Sequence, residues 1–296
     1  MPLLRPDRVA TLYLFRPLRR LLRRPSPGIP ILMYHSISTR VELRRSAYFH
    51  TCTDPQVFRN HLKFLASNGY KIIGLAEAAR KLKGGNRTDE KLVVLTFDDG
   101  YADFYTEAFP ILSAYGYTAT VFLPTAYIGD NSRTFNGTTC LTWSEVRKLQ
   151  STGIDFGSHT VTHPQLRTLP MADLNQEVRC SKEEIEQKLG SKVRSFSYPY
   201  AFPETDRRFK QALRQILDEA GYETGVSTVI GTADHRTSPL FMRRLPVNSC
   251  DDPRFFEAKI SGAYDWLHGP QRFTKMLECW RNTAEGRRAT CIGSAC

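Results

Sequence analysis

Short apolar or β-branched runs alternate with capped helical segments along most of this 296-residue chain, and the connections between them are short. That alternation is the pattern of a parallel sheet wrapped by helices. Ile31 to His35, Tyr70 to Ile73, Leu92 to Phe97, Ala119 to Leu123, Ile154 to Gly157, Phe196 to Tyr198, Thr224 to Val229 and Phe241 to Leu245 predict strands. Asp54-Pro55 supplies an N-cap and a first-turn proline for a helix that Gly69 closes, and Tyr101 to Tyr115 reads as a helix stopped by Gly116. Thr142-Trp143-Ser144-Glu145 is a capping box, while Met171 to Leu189 and Asp206 to Ala220 predict helices ending at Gly190 and Gly221. This count of βα units fits an α/β fold, a distorted (β/α) barrel, which a chain of this length accommodates as one unit.

The chemistry concentrates in two short segments. Thr96-Phe97-Asp98-Asp99-Gly100 sets two adjacent carboxylates at the end of an apolar run, Leu92-Val93-Val94-Leu95. Neighbouring carboxylates repel, and the pair is tolerated where a cation takes one and leaves the other as a base. Ser158-His159-Thr160-Val161-Thr162-His163-Pro164 then offers two imidazoles four positions apart, within reach of one ion. One Asp and two His make a facial ligand set that leaves positions open for water and substrate.

Taken in order, TFDDG, SHxxxHP and Phe196-Ser197-Tyr198-Pro199-Tyr200 resemble the successive motifs of the polysaccharide deacetylases, the NodB-homology or carbohydrate esterase family 4 proteins. The opening strand Ile31-Leu32-Met33-Tyr34-His35 is similar to the group that includes poly-N-acetylglucosamine deacetylases. The resemblance implies a NodB-type barrel over about residues 29–250. It also implies that Asp99, His159 and His163 hold a divalent metal, expected to be Zn²⁺, that Asp98 is the general base, and that the Tyr200 backbone N–H donates to the developing oxyanion.

Two departures from the family pattern matter. Ser197 stands where an arginine is usual, and Arg244 in Phe241-Met242-Arg243-Arg244-Leu245 is the candidate replacement, with Arg243 on the other face of the strand. His235 and His268 do not sit in the late Leu-x-His motif that usually provides the acid, so His35 is the candidate to protonate the leaving amine or to sit beside the metal.

The expected reaction is removal of N-acetyl groups from N-acetylglucosamine-type units of a glycan, as in exopolysaccharide biosynthesis. Three alternatives stay open: a deacylase of a lipid-linked saccharide precursor, a non-catalytic glycan-binding relative, and a metallophosphoesterase, which would usually assemble more ligands for two metals.

The formal charge of +11 is concentrated at the start, where Arg5, Arg8, Arg16, Arg19, Arg20, Arg23 and Arg24 face the single acid Asp7 and interleave with leucines. Residues 1–24 are therefore expected to meet an anionic membrane surface or to form a solvated basic tail, joined through Pro25 to Pro30; no nucleic-acid partner is expected. The N-terminus has no uninterrupted apolar stretch of signal-peptide length, and no segment approaches the ~18 apolar residues of a membrane span. The protein is thus expected in the cytoplasm, peripheral to the inner face of the membrane. The seven cysteines lack CxxC spacing and predict reduced thiols. Residues 1–28 are read as a basic segment and linker, 29–250 as the catalytic domain, and 251–296 as a helical extension, with Trp266 and Trp280 packing on the barrel, ending in a mobile tail.

Overall fold

The computed structural model describes residues 5–22, 28–40, 49–84 and 90–274. Seven strands follow one another around a closed parallel barrel: β1 (Ile31–Tyr34), β2 (Leu92–Phe97), β3 (Thr120–Leu123), β4 (Asp155–Ser158), β5 (Ser195–Ser197), β6 (Thr224–Ile230) and β7 (Met242–Pro246). Closure comes from β1, which pairs with β2 (Leu32 opposite Leu95) on one side and with β7 (Leu32 opposite Leu245) on the other. The Lys71–Ile72 strand adds to the outer edge of β2. Every run expected to be a strand is one, with ends shifted by a residue or so.

Alternation along the strands sorts the core into two layers. Ile31, Leu92, Val94, Phe122, Val226 and Met242 fill the barrel interior, while Leu32, Val93, Leu95, Val121, Leu123 and Leu245 face the surrounding helices. All six side chains of β2 are buried, which is why its sequence is an unbroken apolar run with a single threonine. Gly157 on β4 makes room for the Phe122 ring, since a Cβ there would lie 2.5 Å from it. Continued beyond the last strand residues, the inward register carries Thr96 on to Asp98 and Gly157 on to His159, and the same register holds Ser197 and Arg244.

The helices form where their signals sit. Asp54 caps Pro55–Ser67 through Gln56 N and Val57 N, the Thr142–Glu145 capping box is complete, and Gly190 and Gly221 end their helices in the left-handed conformation. The Leu75–Lys83 helix, capped only by Gly74, and the Thr134–Thr139 hairpin carry no such signal and go unread in the sequence.

The N-terminal segment departs from expectation. Pro6–Ala10, a π turn at Thr11–Phe15 and Arg16–Leu21 form one continuous helix, α1, docked on the C-terminal segment. Arg5 pairs with Asp7 (2.6 Å) and Asp251 (3.4 Å), Arg8 with Asp252 (2.6 Å), and Arg16 with Glu257 (2.6 Å). Trp266 stacks on Phe15 (centroids 4.5 Å apart) and donates to Thr11 Oγ1, so this tryptophan packs on α1. A loose basic tail is therefore not what residues 5–22 form. Residues 23–27, Trp280 and the C-terminal cysteines lie outside the described residues; among the described ones Cys140 and Cys180 are free thiols. Among the described residues no helix is long and apolar enough to cross a membrane.

The anchor of α1 is a buried charge cluster in which Asp251 accepts from both Arg5 and Lys259 (2.8 Å), and Tyr264 donates to Asp7 (2.8 Å). Removing the central anion leaves two buried cations short of a partner, a loss of about 3–5 kcal/mol. Asp251→Ala is expected to lower the thermal midpoint by roughly 6–20 °C. A calorimetric midpoint within about 2 °C of wild type would show that α1 does not depend on this cluster.

Candidate active site

At the carboxyl end of β2 the chain must turn sharply to bring both aspartates into the barrel mouth. Asp99 (φ 72°) and Gly100 (φ 59°) are both left-handed, and a Cβ on Gly100 would lie 2.9 Å from Leu123 Cδ2, so the glycine of the motif is a steric requirement.

Asp98 is buried and gripped by Arg244 from β7 in a two-pronged pair, Nη1 to Oδ1 at 2.8 Å and Nη2 to Oδ2 at 2.7 Å. Arg244 is itself buried and spends its remaining donors on Ser227 O (3.1 Å), Thr96 Oγ1 (3.3 Å) and Ser197 Oγ (3.1 Å). Ser197 also donates to Asp98 Oδ1 at 3.2 Å. The serine at this family-variant position thus leaves space for a guanidinium arriving from another strand. Burial pushes the Asp98 carboxyl up, but the Arg244 charge and hydrogen bonds outweigh it and hold the group well below the usual carboxylate range. Arg243, on the opposite face, is half-buried.

Asp99, His159 and His163 converge beside this pair, with one ligand atom from each lying within 4.8 Å of the others. Asp99 Oδ1 stands 3.5 Å from His159 Nε2 and 3.4 Å from His163 Nε2, and it is buried without a hydrogen-bond partner. His159 Nδ1 lies 2.8 Å from the Ser197 carbonyl, which only accepts, so Nδ1 carries a proton and Nε2 is the ring nitrogen that faces Asp99. Burial, then the neighbouring His159, pushes the His163 imidazole down to about 3, so this ring is neutral. Carboxylate and imidazole lone pairs facing one another in a buried space repel unless a cation lies between them, and the donor set fits a divalent metal.

The loop carrying the histidines is strained, with Thr160 at φ 69° and His163 at φ 56°. Its polar groups are held one by one. His163 N donates to Thr160 Oγ1 (3.0 Å) and Thr160 N to Ser158 Oγ (3.1 Å). Glu177, from the Met171–Leu189 helix, accepts from Val161 N (2.8 Å), Thr162 N (2.9 Å) and Thr162 Oγ1 (2.7 Å). Sequence reading missed Glu177, and only the unpaired amides of a turn yet to be seen would have pointed to it.

Tyr200 lies in a left-handed turn (φ 56°) just after β5, its carbonyl held by Thr228 Oγ1 (2.8 Å) and its ring, 49% exposed, edge-on to His163 (4.6 Å). Phe135 from the unforeseen hairpin meets His163 from another side (5.0 Å). His35, directly after β1, has a buried Nδ1 without a hydrogen-bond partner and is near enough to act electrostatically on Asp98 and His163. All seven residues singled out in the sequence therefore meet at one barrel mouth. His268 is elsewhere, paired with Glu204 at 2.8 Å.

Comparison with known proteins agrees with this geometry. The family model described as polysaccharide deacetylase matches residues 85–225, and the Bacillus subtilis family member YxkH is 31% identical over 220 residues, 74% of this chain and 71% of that one. The chain belongs to the polysaccharide deacetylase family. The Escherichia coli poly-beta-1,6-N-acetyl-D-glucosamine N-deacetylase is 30% identical over 146 residues, 46% of this chain but only 21% of that larger protein. The solved Streptococcus pyogenes deacetylase PplD, in complex with acetate, superposes with a TM-score of 0.69 and 27% identity over 80% of this chain and 99% of that one. This polysaccharide deacetylase carries Asp98, Asp99, His159 and His163 within the span matched by the family model, whereas His35 and Arg244 lie outside it, on the two strands that close the barrel.

Because Glu177 holds the turn between the two histidines, Glu177→Ala should release His163 from its strained position. Affinity for a divalent ion, measured by chelator competition, is expected to fall about 10- to 100-fold. Unchanged affinity would mean that the turn holds its shape without the carboxylate.

Proposed function

We propose that the protein is a metal-dependent hydrolase that removes N-acetyl groups from N-acetylglucosamine-type units of a polysaccharide. The observation that carries this reading is the juxtaposition of a cation-ready Asp99–His159–His163 cluster with a separate carboxylate, Asp98, held ionised by Arg244. A binding module has no use for a second buried carboxylate fixed beside its metal. A two-metal phosphoesterase would need further ligands, and among the described residues one group of this kind is found.

Two imidazole nitrogens and one carboxylate oxygen form a borderline donor set, which favours zinc. A divalent cation bound there supplies an acidified water and polarises the acetyl carbonyl. Asp98 takes the proton of the attacking water, whose oxygen adds to the acetyl carbon. Arg244 keeps that carboxylate in a single orientation through two parallel hydrogen bonds. The Tyr200 N–H stabilises the negative charge developing on the carbonyl oxygen. His35 protonates the sugar nitrogen as the C–N bond breaks, giving acetate and a free amine.

Three outcomes test the assignment. Purified protein should hold about one zinc per chain by elemental analysis, and a His159→Ala/His163→Ala variant that retained it would reject the ligand set. Asp98→Asn is expected to keep the metal and cut acetate release from N-acetylglucosamine oligomers about 10²- to 10⁴-fold; near wild-type release would remove Asp98 as base. Arg244→Lys replaces a planar fork by a point charge and should lower kcat, with Arg243→Lys mild by comparison.

The pH dependence follows from the depressed Asp98 pKa. With Arg244 in place the active, ionised carboxylate persists to low pH. In Arg244→Gln, which removes the charge, the pKa rises towards what burial alone dictates, so activity is lost at a higher pH as pH falls, and the acid limb moves up. An acid limb that stays in place would mean that Arg244 does not set the protonation of the base.

A further inference from the structure

The docking of α1 divides its side chains sharply. Its inner face is spent on the protein through Arg5, Asp7, Arg8, Thr11, Leu12, Phe15 and Arg16. Its outer face presents Val9 (47% exposed), Tyr13 (64%), Leu14 (57%), Leu18 (42%), Leu21 (79%) and Leu22 (53%). These follow the i, i+3, i+4, i+5 spacing of one helical stripe, kept in line by the π turn at Thr11–Phe15, which delays the following residues so that Leu18, Leu21 and Leu22 stay on the side of Val9 and Tyr13. They make up six of the ten large hydrophobic residues exposed in the described structure. So continuous an apolar surface marks a site of interaction.

We infer that this stripe is an interfacial anchor that lies in the surface of an anionic lipid bilayer, with the barrel held on it in a fixed orientation. Three observations choose lipid as the occupant. The stripe runs along the outer face of a single surface helix, the geometry of an amphipathic segment that lies in the headgroup and acyl boundary of a bilayer. Exposed Arg20 flanks it and gives its border a basic group that complements anionic headgroups. A second copy of the chain packed stripe to stripe with the helices parallel would bring Arg20 against its own counterpart.

This changes the physical basis of the membrane contact expected from the sequence. The inner arginines Arg5, Arg8 and Arg16 are bound to Asp7, Asp251, Asp252 and Glu257 and are not available for phosphates. Binding rests on the leucines and Tyr13, with Arg20 adding a salt-sensitive part. The helix is also fixed to the barrel by buried charges, so it can set how the molecule stands on the surface.

The test uses flotation of the full-length protein with vesicles of phosphatidylcholine and phosphatidylglycerol at 3:1, and with phosphatidylcholine alone. The wild type is expected to float with the anionic vesicles and more weakly with the neutral ones. Leu18→Ser/Leu21→Ser should reduce anionic-vesicle binding at least tenfold at both low and high salt. Thermal midpoint, monomer mass and acetate release from soluble oligomers should all stay unchanged in that variant. Arg20→Gln should lower binding only at low salt. Wild-type protein that stays with neither vesicle would overturn the inference. So would a serine variant with a lowered thermal midpoint, which would mean that the stripe is covered by the chain itself, or a wild-type dimer dissociated by the substitutions, which would mean a second copy covers it. Because acetate release is read separately in solution, failure of the anchor leaves the hydrolase reading standing, and failure of the hydrolase reading leaves the vesicle result to be judged alone.

Discussion

The buried pair between Asp98 and Arg244 joins residues 146 positions apart in the chain and sits on the two strands that flank β1, so it exists only when the barrel is closed. Neither partner is tolerable alone. A carboxylate or a guanidinium that is almost wholly buried without its counter-charge costs several kcal/mol, and the pair as a whole gains little over an apolar replacement. Its presence in a barrel otherwise lined by Ile31, Val94, Phe122, Val226 and Met242 therefore points to chemistry and not to stability. The small polar residues around it follow from the same constraint. Thr96 and Ser197 occupy positions where an apolar side chain would leave guanidinium donors unsatisfied, and the Ser227 backbone carbonyl accepts from Arg244 Nε.

Backbone strain is gathered at the same mouth. Of the five non-glycine residues with positive φ among the described residues, Asp99, Thr160, His163 and Tyr200 line the site, and the fifth, Asn136, belongs to the hairpin that presents Phe135 to His163. Such conformations cost about 1–3 kcal/mol each and persist only where surrounding contacts over-determine them. Here the contacts are specific. The Glu177 carboxylate takes two amides and a hydroxyl of the histidine loop, and the hydroxyls of Ser158 and Thr160 take two more amides. The cluster of cation-ready lone pairs is thus held in place by the chain's own hydrogen bonds, which lessens the cost of ordering its ligands.

Most of the fold was legible because strand period and helix caps are local signals. The LVVLTF run, the Asp54 cap and the Thr142–Glu145 box each form within a few residues of what specifies them. Asp98, Asp99, His159 and His163 were legible for the same reason, each pair being adjacent or one helical turn apart in sequence. Arg244 could be reached because alternation along β7 separates it from Arg243. Glu177 could not, since its partners lie 15 and 16 residues away on a turn whose conformation no local signal announces. The arginines of α1 misled for a related reason. They look like a patch awaiting phosphates, but the acids that claim Arg5, Arg8 and Arg16 include Asp251, Asp252 and Glu257, more than 200 positions away.

The Asp98–Arg244 pair and the metal-ready cluster also depend on each other chemically. A guanidinium that keeps Asp98 ionised necessarily makes it a poor base, because every pKa unit removed is 1.36 kcal/mol less favourable for taking a proton. Against bulk water at 15.7, even an ordinary carboxylate near 3.9 faces a gap of about 12 units, or roughly 16 kcal/mol, and Asp98 lies lower still. A water acidified by a cation to about 7 narrows the gap for an ordinary carboxylate to about 3 units, roughly 4 kcal/mol. Asp98 as held here can therefore serve as a base only beside such a water. The three ligands that would acidify it are the ones the structure sets next door: Asp99 is the next residue in the chain, and His159 is hydrogen-bonded to the carbonyl of the same Ser197 whose hydroxyl touches Asp98. On the proposed reading, orientation of Asp98 by Arg244 is thus compatible with turnover only because the neighbouring cluster lowers the demand on its basicity.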